Sequence, residues 1–204
     1  MHVVLEIPTN TLFLAGEILE APVFSHACRQ TCFLRTMLSV RRESGTLDIL
    51  PVVSAGGLVP ESARVGDSVA VRGQIRAYSM RDEVSSHLMI VAFAQSVLAH
   101  DGAHENEATL CGMLCRPPVY RVTPMGREIA DLFVAVERAF GKSDYLPVIA
   151  WGGNARRVEH WQPGRKVTVQ GRLQSRVYQK RQPDGAVREM TAYEVSASAI
   201  ETVE

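Results

Sequence analysis

The sequence predicts an all-β protein made of two tandem copies of one small domain. An internal repeat runs through most of the 204 residues, and apolar side chains alternate with polar ones at the spacing of strands rather than of helices. With 46% hydrophobic and 22% charged residues, the chain is long enough to bury either one large core or two cores of about 100 residues each, and the repeat favours two. We expect the copies to span residues 1–100 and 106–204.

The repeat appears when the two halves are aligned at a nearly constant offset. Pairs 96 positions apart are Gly16 with Gly112, Pro22 with Pro118, Phe24 with Tyr120, Val40 with Val136, and Pro51 with Pro147. A two-residue insertion in the second copy raises the offset to 98, as in Gly66 with Gly164 and Gly73 with Gly171. The polar segment 100–108 is predicted to link the copies.

Alternating hydrophobicity predicts five strands in each copy. In the second copy they are 108–116, 129–137, 145–151, 165–178 and 191–200; in the first they are 11–19, 31–40, 47–55, 68–78 and 88–98. Residues 154–161 have helical character, with Asn154 as the N-cap and Pro163-Gly164 as the stop. Five strands with a short helix between the third and fourth are typical of the oligonucleotide-binding (OB) barrel, and we expect this order in both copies.

Composition and motifs exclude several classes of function. The sequence has no apolar run of 18 residues and no basic segment followed by an apolar one, so neither a membrane span nor an export signal is predicted. The cysteines form two C-x3-C pairs, and Cys111 and Cys115 read as buried apolar side chains, with metal binding the less favoured alternative. No catalytic motif is present, and we expect a non-enzymatic, reduced, cytoplasmic protein without cofactor or metal.

Charge separates the two copies. The formal net charge is zero, but residues 1–105 carry 8 Lys and Arg against 11 Asp and Glu, whereas residues 106–204 carry 14 against 11. The halves therefore differ in sign, at −3 and +3. Only the second has the polarity that favours a phosphate backbone.

The second copy also combines aromatic rings with cations, the two groups that grip single strands by stacking on bases and following phosphates. Alternation places Arg172, Gln174, Arg176 and Tyr178 on one face of a strand, and Tyr145 and Trp151 on one face of another. The remaining candidates, in the adjoining loops, are Phe140, Lys142, Lys180 and Arg181. Burial in a barrel core is the alternative for each ring.

Residues 106–202 resemble the bacterial single-stranded-DNA-binding protein family. The resemblance rests on N-x5-G at 106–112, P-x-Y-R-x-T-P-x-G at 118–126, LPVIAWG at 146–152, and above all G-R-L-x-S-R-x-Y at 171–178. It implies sequence-tolerant binding of single-stranded DNA in replication, recombination or repair. It also implies base stacking at the positions of Phe140, Tyr145, Trp151 and Tyr178.

The resemblance further implies a bacterial, nucleoid-associated protein. Family members with one barrel form tetramers, so two barrels per chain suggest a homodimer with four. The chain ends in IETVE rather than in the family's acidic-hydrophobic tip, so recruitment of replication proteins through such a tip is not expected. A primosome-type accessory protein and a protein-interaction scaffold are the alternative functions.

The first copy departs from this pattern of rings. Ala55 stands at the position of Trp151 and Ile49 at that of Tyr145, and only Tyr78, set opposite Tyr178, persists. We therefore expect the acidic first barrel to serve mainly as a structural partner in the assembly.

Overall fold

The computed structural model describes residues 9–60, 62–81, 86–181 and 185–203, without the side chains of residues 79–81, 86, 87 and 140. Over these ranges the chain is almost entirely β, as predicted. The first half contains β1 (Asn10–Ile18), β2 (Val23–Cys28), β3 (Thr31–Arg41), β4 (Leu47–Ala55), β5 (Ser68–Arg81) and β6 (Ser86–Ala99). The second contains β7 (Glu105–Leu114), β8 (Val119–Val122), β9 (Glu128–Arg138), a 3-10 turn (Ala139–Gly141), β10 (Lys142–Trp151), α1 (Gly153–Val158), β11 (Lys166–Arg181) and β12 (Val187–Thr202).

Strand pairing closes on itself in each half. In the first half β1 pairs with both β5 and β3, and the series continues through β4 and β6 back to β5, with β4 and β6 parallel. In the second half β7, β9, β10, β12 and β11 are joined in the same way, with β10 and β12 parallel. The pairing pattern thus repeats together with the sequence.

Glycines recur at equivalent positions of the two copies for a steric reason, at the points where each series of paired strands closes on itself. A Cβ at Gly16 of β1 would collide with the carbonyl oxygen of Ser39 in β3, and one at Gly112 of β7 with the carbonyl of Ala135 in β9. Only glycine lets two backbones approach so closely. The Gly16–Gly112 match therefore marks equivalent crossings of two strands.

Two short strands were not predicted. β2 and β8 each form an exposed hairpin arm, against β3 and β9 respectively. The predicted linker is also too long, because β7 already begins at Glu105. Only residues 100–104 connect the halves.

A helix lies between the third and fourth predicted strands of the second half, whereas the described residues at the equivalent place in the first half form none. α1 lies between β10 and β11, although its N-cap is Gly152 and the Asn154 amide instead donates to the Ser198 carbonyl at 2.9 Å. Between β4 and β5 the described residues form turns without a helix. This segment is two residues shorter than its counterpart, and Pro60 disfavours a helical conformation of the residue before it. α1 has six residues, and no helix in the described ranges is long and apolar enough to cross a bilayer.

The halves are related by an approximate two-fold axis. β1 and β7 pair antiparallel with Leu12 opposite Ala108, and these residues are equivalent at the 96-residue offset. Both are buried in the apolar core. The sheet is therefore continuous across the two halves, which face each other as two copies would in a symmetric dimer.

Two buried carboxylates lock the halves together. Asp48, fully buried, accepts hydrogen bonds from Arg42 at 2.7 and 2.6 Å and from the backbone N–H of Ser175 in the other half at 2.7 Å. Its equivalent, Asp144, accepts one from the N–H of Ala77 at 2.8 Å. Buried charges persist where they are paired and hydrogen-bonded. Through these two contacts the β3–β4 turn packs on the second half and the β9–β10 turn packs on the first.

Candidate nucleic-acid interface

A cationic groove of about 560 Å³ lies where the β3–β4 turn meets the second half. Its lining includes one aromatic ring and four arginines: Trp151, Arg42, Arg127, Arg172 and Arg176. Arg42 comes from the first half, so both halves build the groove. Sequence reasoning missed Arg42, because its place depends on contacts between residues over 100 positions apart.

Trp151 ends β10 with its ring at the surface, 37% exposed. The indole Nε1 donates to the Ser196 hydroxyl of β12 at 3.1 Å, which fixes the orientation of the ring. Burial in a barrel core, the alternative considered from the sequence, does not apply to Trp151. A ring that is anchored at one edge and partly exposed to the groove suits stacking on a base.

Arg172 of β11 is the least compensated cation of the groove. One of its terminal nitrogens donates to the Gln174 side chain at 3.3 Å, while its buried Nε has no hydrogen-bond partner in the described part of the chain. Burial, and secondarily the nearby Arg42 charge, lower the pKa of the Arg172 guanidinium below its ordinary value. An anion entering the groove would relieve both effects.

Gln174 lies on the same face of β11 as Arg172, as the alternation predicts, but its side chain is buried. The side chain is 4% exposed and donates to Glu194 at 2.9 Å, so it serves as a bridge between strands. Glu194 also approaches Arg176, with 3.6 Å between its Oε1 and the arginine Nε. Glu194 therefore lies beside the groove, whose described lining contains four arginines and no carboxylate side chain.

Tyr178 continues the line of the groove along β11. The Arg176 guanidinium carbon lies 5.5 Å from the centre of the Tyr178 ring, which is 36% exposed. Beyond it, Lys180 and Arg181 are exposed on the β11–β12 hairpin. Predicted residues Arg172, Arg176, Tyr178, Lys180 and Arg181 thus follow one strand away from Trp151.

Tyr145 belongs to a separate aromatic row. Its ring, 50% exposed, stacks on Phe133 at 6.4 Å between centroids, and the Arg116 guanidinium lies 5.0 Å from the Phe133 centroid. Tyr145 and Trp151 do have the same parity on β10, but six residues of strand separate them by about 20 Å. Sequence reasoning missed Arg116.

Lys142 does not join the Trp151 groove. It begins β10 two residues before Asp144, the carboxylate that binds β5 of the first half. Its equivalent in the repeat, Thr46, lines the Trp151 groove, so symmetry assigns Lys142 to the surface of the first half. Phe140 stands in the preceding 3-10 turn, and its side chain lies outside the described residues.

Register also corrects the match made for Tyr78. The strand irregularity falls between Arg72 and Gly73 in β5 and between Gln170 and Gly171 in β11, which fixes the offset at 98. Tyr78, 38% exposed, is therefore the counterpart of Arg176 rather than of Tyr178. The first half keeps no ring at the Tyr178 position.

An all-β fold with arginines beside an open tryptophan has the composition of a surface that binds single-stranded nucleic acid. Residues 105–203 match the Single-strand binding protein family. Through this C-terminal half the chain belongs to that family.

The relatives include single-stranded DNA-binding proteins of Halalkalibacterium halodurans, 29% identical over 48% of this chain and 61% of the relative, and of Bacillus subtilis (protein A), 32% identical over 38% and 49%. The chain thus spans about half the length of the curated relatives it matches. Among solved structures, wild-type single-stranded DNA binding protein from Thermus aquaticus has a TM-score of 0.76 at 21% identity and covers 96% of this chain and 93% of its own. This likeness extends the shared fold to both halves.

Proposed function

We propose that this protein binds single-stranded DNA without strong sequence preference and without catalysis, as part of replication, recombination or repair. The observation that carries the proposal is the groove in which Trp151 lies beside Arg42, Arg127, Arg172 and Arg176. The names of the curated relatives support it, because each is a single-stranded DNA-binding protein.

Each part of the groove has a role in this proposal. The face of Trp151 stacks on a base, since every base offers a π-face and stacking does not read sequence. Arg172 and Arg176 pair with successive phosphates, for which the planar guanidinium supplies two parallel donors. Tyr178, Lys180 and Arg181 extend the path along β11, and the Tyr145–Phe133 row offers a further stacking surface.

The architecture proposed with this function is a pair of OB barrels, at residues 1–100 and 106–204, in each chain. The two closed series of strand pairings support it. We also propose a homodimer with four barrels in total. Sedimentation equilibrium at twice the 22.4 kDa chain mass supports the dimer, and a monomer mass excludes it.

Fluorescence titration tests the proposal directly. The chain has two tryptophans, and Trp161 lies away from the groove, packed on the core with Arg165 5.3 Å from its ring centre. A Trp161→Phe variant therefore leaves Trp151 as the single emitter. We expect a 30-mer of thymidine to quench this emission at low salt, with an affinity that falls as salt rises.

Substitution of the rings supplies the second arm. Trp151→Ala combined with Tyr178→Ala should weaken binding by at least about 25-fold, because stacking contributes ~1–3 kcal/mol per base. Trp161→Phe is the matched control and should bind as the unaltered protein does. Unchanged affinity in the double variant refutes the proposed surface, and failure of the unaltered protein to bind at low salt refutes the function.

A further inference from the structure

A ladder of rings lies on the first half of the molecule, where the sequence predicted a surface stripped of them. The exposed imidazole of His26 stacks on Phe33 with 4.7 Å between centroids and 9° between planes. Phe33 contacts Phe93 at 5.8 Å, and the Arg76 guanidinium carbon lies 5.7 Å from the Phe93 centroid. We call these four residues the N-terminal ladder.

The ladder occupies the place that the Trp151 site holds in the second half. Ala55 is paired with Phe33 in β3 as Trp151 is paired with Ile129 in β9. Phe93 neighbours Val53 of β4 in the parallel pairing in which Ser196 neighbours Ile149 of β10.

Strand equivalence explains how the rings come to lie there. In the second half one large ring on the central strand reaches across to Ser196, as its 3.1 Å hydrogen bond shows. In the first half the central strand carries only the methyl group of Ala55. Phe33 and Phe93, on the strands either side, meet across this small residue. The aromatic surface is therefore kept in place while its residues move to neighbouring strands.

Cations accompany the ladder as they accompany Trp151. Arg76 and Arg138, the latter from the second half, share the single buried carboxylate Asp144, with nitrogen-to-oxygen distances of 3.2 and 3.3 Å. This cluster keeps a formal charge of +1 from two cations and one anion. Lys142 adds a further positive charge from the same β9–β10 turn, and its side chain is exposed. The ladder is thus flanked by positive charge although the first half as a whole is acidic.

We propose that the N-terminal ladder is a second base-stacking surface for the same single strand, with the outer face of His26 and the edges of Phe33 and Phe93 against bases and Arg76, Arg138 and Lys142 against phosphates. The inference rests on the proposed function and replaces the expectation that the first half is structural. Since the two sites are related by the approximate two-fold axis, a strand long enough to leave the Trp151 groove reaches the ladder across the junction of the halves.

The test compares oligonucleotides of two lengths on the full chain. The variant is His26→Ala combined with Phe33→Leu, which removes both π-faces and keeps an apolar side chain at the half-buried position. Phe24→Ala is the matched control, because Phe24 is a 65% exposed ring on the same hairpin and is paired with Leu34 rather than with a ladder residue. Circular dichroism and a thermal melt establish that each variant is folded, and His26→Ala alone serves if the double variant is not.

We expect the ladder variant to bind a thymidine 35-mer at least about 5-fold more weakly than the unaltered protein, from the loss of one stacked base. Binding of an 8-mer that is limited to the Trp151 groove should be unchanged, as should both affinities of the control. The ladder is refuted if its variant binds the 35-mer normally while Trp151→Ala is impaired, a result that leaves the proposed function intact. If the unaltered protein binds neither oligonucleotide, the proposed function fails and the ladder with it.

Discussion

Removal of the Asp48 carboxylate should both destabilise the protein and open its groove. Asp48 is fully buried and accepts hydrogen bonds from Arg42 Nε at 2.7 Å, Arg42 Nη2 at 2.6 Å and the Ser175 N–H at 2.7 Å. Asp48→Ala leaves the Ser175 N–H without this acceptor and the Arg42 charge without its partner. Among the described contacts, Arg42 then keeps only the 3.3 Å hydrogen bond to the Ser175 carbonyl to hold it in the groove wall.

The expected loss of unfolding free energy depends on how far solvent screens the Asp48–Arg42 ion pair. Breaking a buried ion pair from one side costs ~3–5 kcal/mol. The Arg42 side chain is 23% exposed, so water hydrates part of the charge that the substitution leaves unpaired. The lower end of this range, about 3 kcal/mol, therefore applies. For a chain of this length each 1 kcal/mol shifts Tm by about 2–4 °C. We therefore expect Tm to fall by about 6–12 °C in differential scanning calorimetry.

Asp131→Ala is the control, because Asp131 pairs with Arg121 at the surface, with side chains 36% and 50% exposed. Exposed pairs contribute ~0–1 kcal/mol, so Tm should fall by no more than about 4 °C. In an Asp48→Ala, Arg42→Ala double variant the loss should be smaller than the sum of the single losses, since no unpaired charge remains. Equal Tm values for Asp48→Ala and Asp131→Ala would refute the reasoning.

Three further predictions concern a glycine, a cation and a phenol. Gly171→Ala should destabilise the protein by ~1–3 kcal/mol in a urea titration, because the added Cβ would collide with the Ser196 carbonyl. Gly153→Ala should be neutral or stabilising in the same titration, because Gly153 has open space around it. Equal stabilities of the two variants contradict the close crossing at Gly171. Arg172→Gln should reduce the slope of log affinity against log salt by about 0.7, the value for one phosphate on a single strand, and an unchanged slope removes Arg172 from the interface. Burial raises the pKa of Tyr193 above its ordinary value of 10.0, so the folded state holds the phenol proton more tightly than the unfolded state does. The stability that this proton contributes is complete below pH 10 and is lost as the pH rises through the raised pKa. Tyr193→Phe should therefore flatten the decline of Tm measured above pH 10, and an identical decline contradicts the assignment.

The sequence was sufficient for the fold wherever a strand buries one face. The alternation in β9 and the offset between β1 and β7 are local or periodic signals, and both led to correct strands. β2 escaped prediction because its side chains are exposed on both faces, so no alternation marks it. α1 was predicted from its own residues, whereas the described residues between β4 and β5 form no helix in a segment that contains Pro60 and is two positions shorter.

The site was predictable in its residue types but not in its assembly. Trp151 and Arg172, which line the groove, were predicted from strand parity and from the cations near them in the sequence. Arg42 was missed because it reaches the groove only through the buried carboxylate Asp48, a contact that no local pattern records. Phe33 and Phe93 were missed for a related reason, since a residue-by-residue match of the copies looks for a ring at Ala55 and cannot see rings on the adjacent strands.

A structure of the protein with a bound thymidine oligonucleotide tests the central claim most directly. The claim is that one strand passes through a groove built by both halves. We predict a base stacked on the open face of Trp151 and phosphate oxygens within hydrogen-bond distance of Arg172 and Arg176. An oligonucleotide bound elsewhere on the molecule, with the Trp151 groove vacant, would contradict the account.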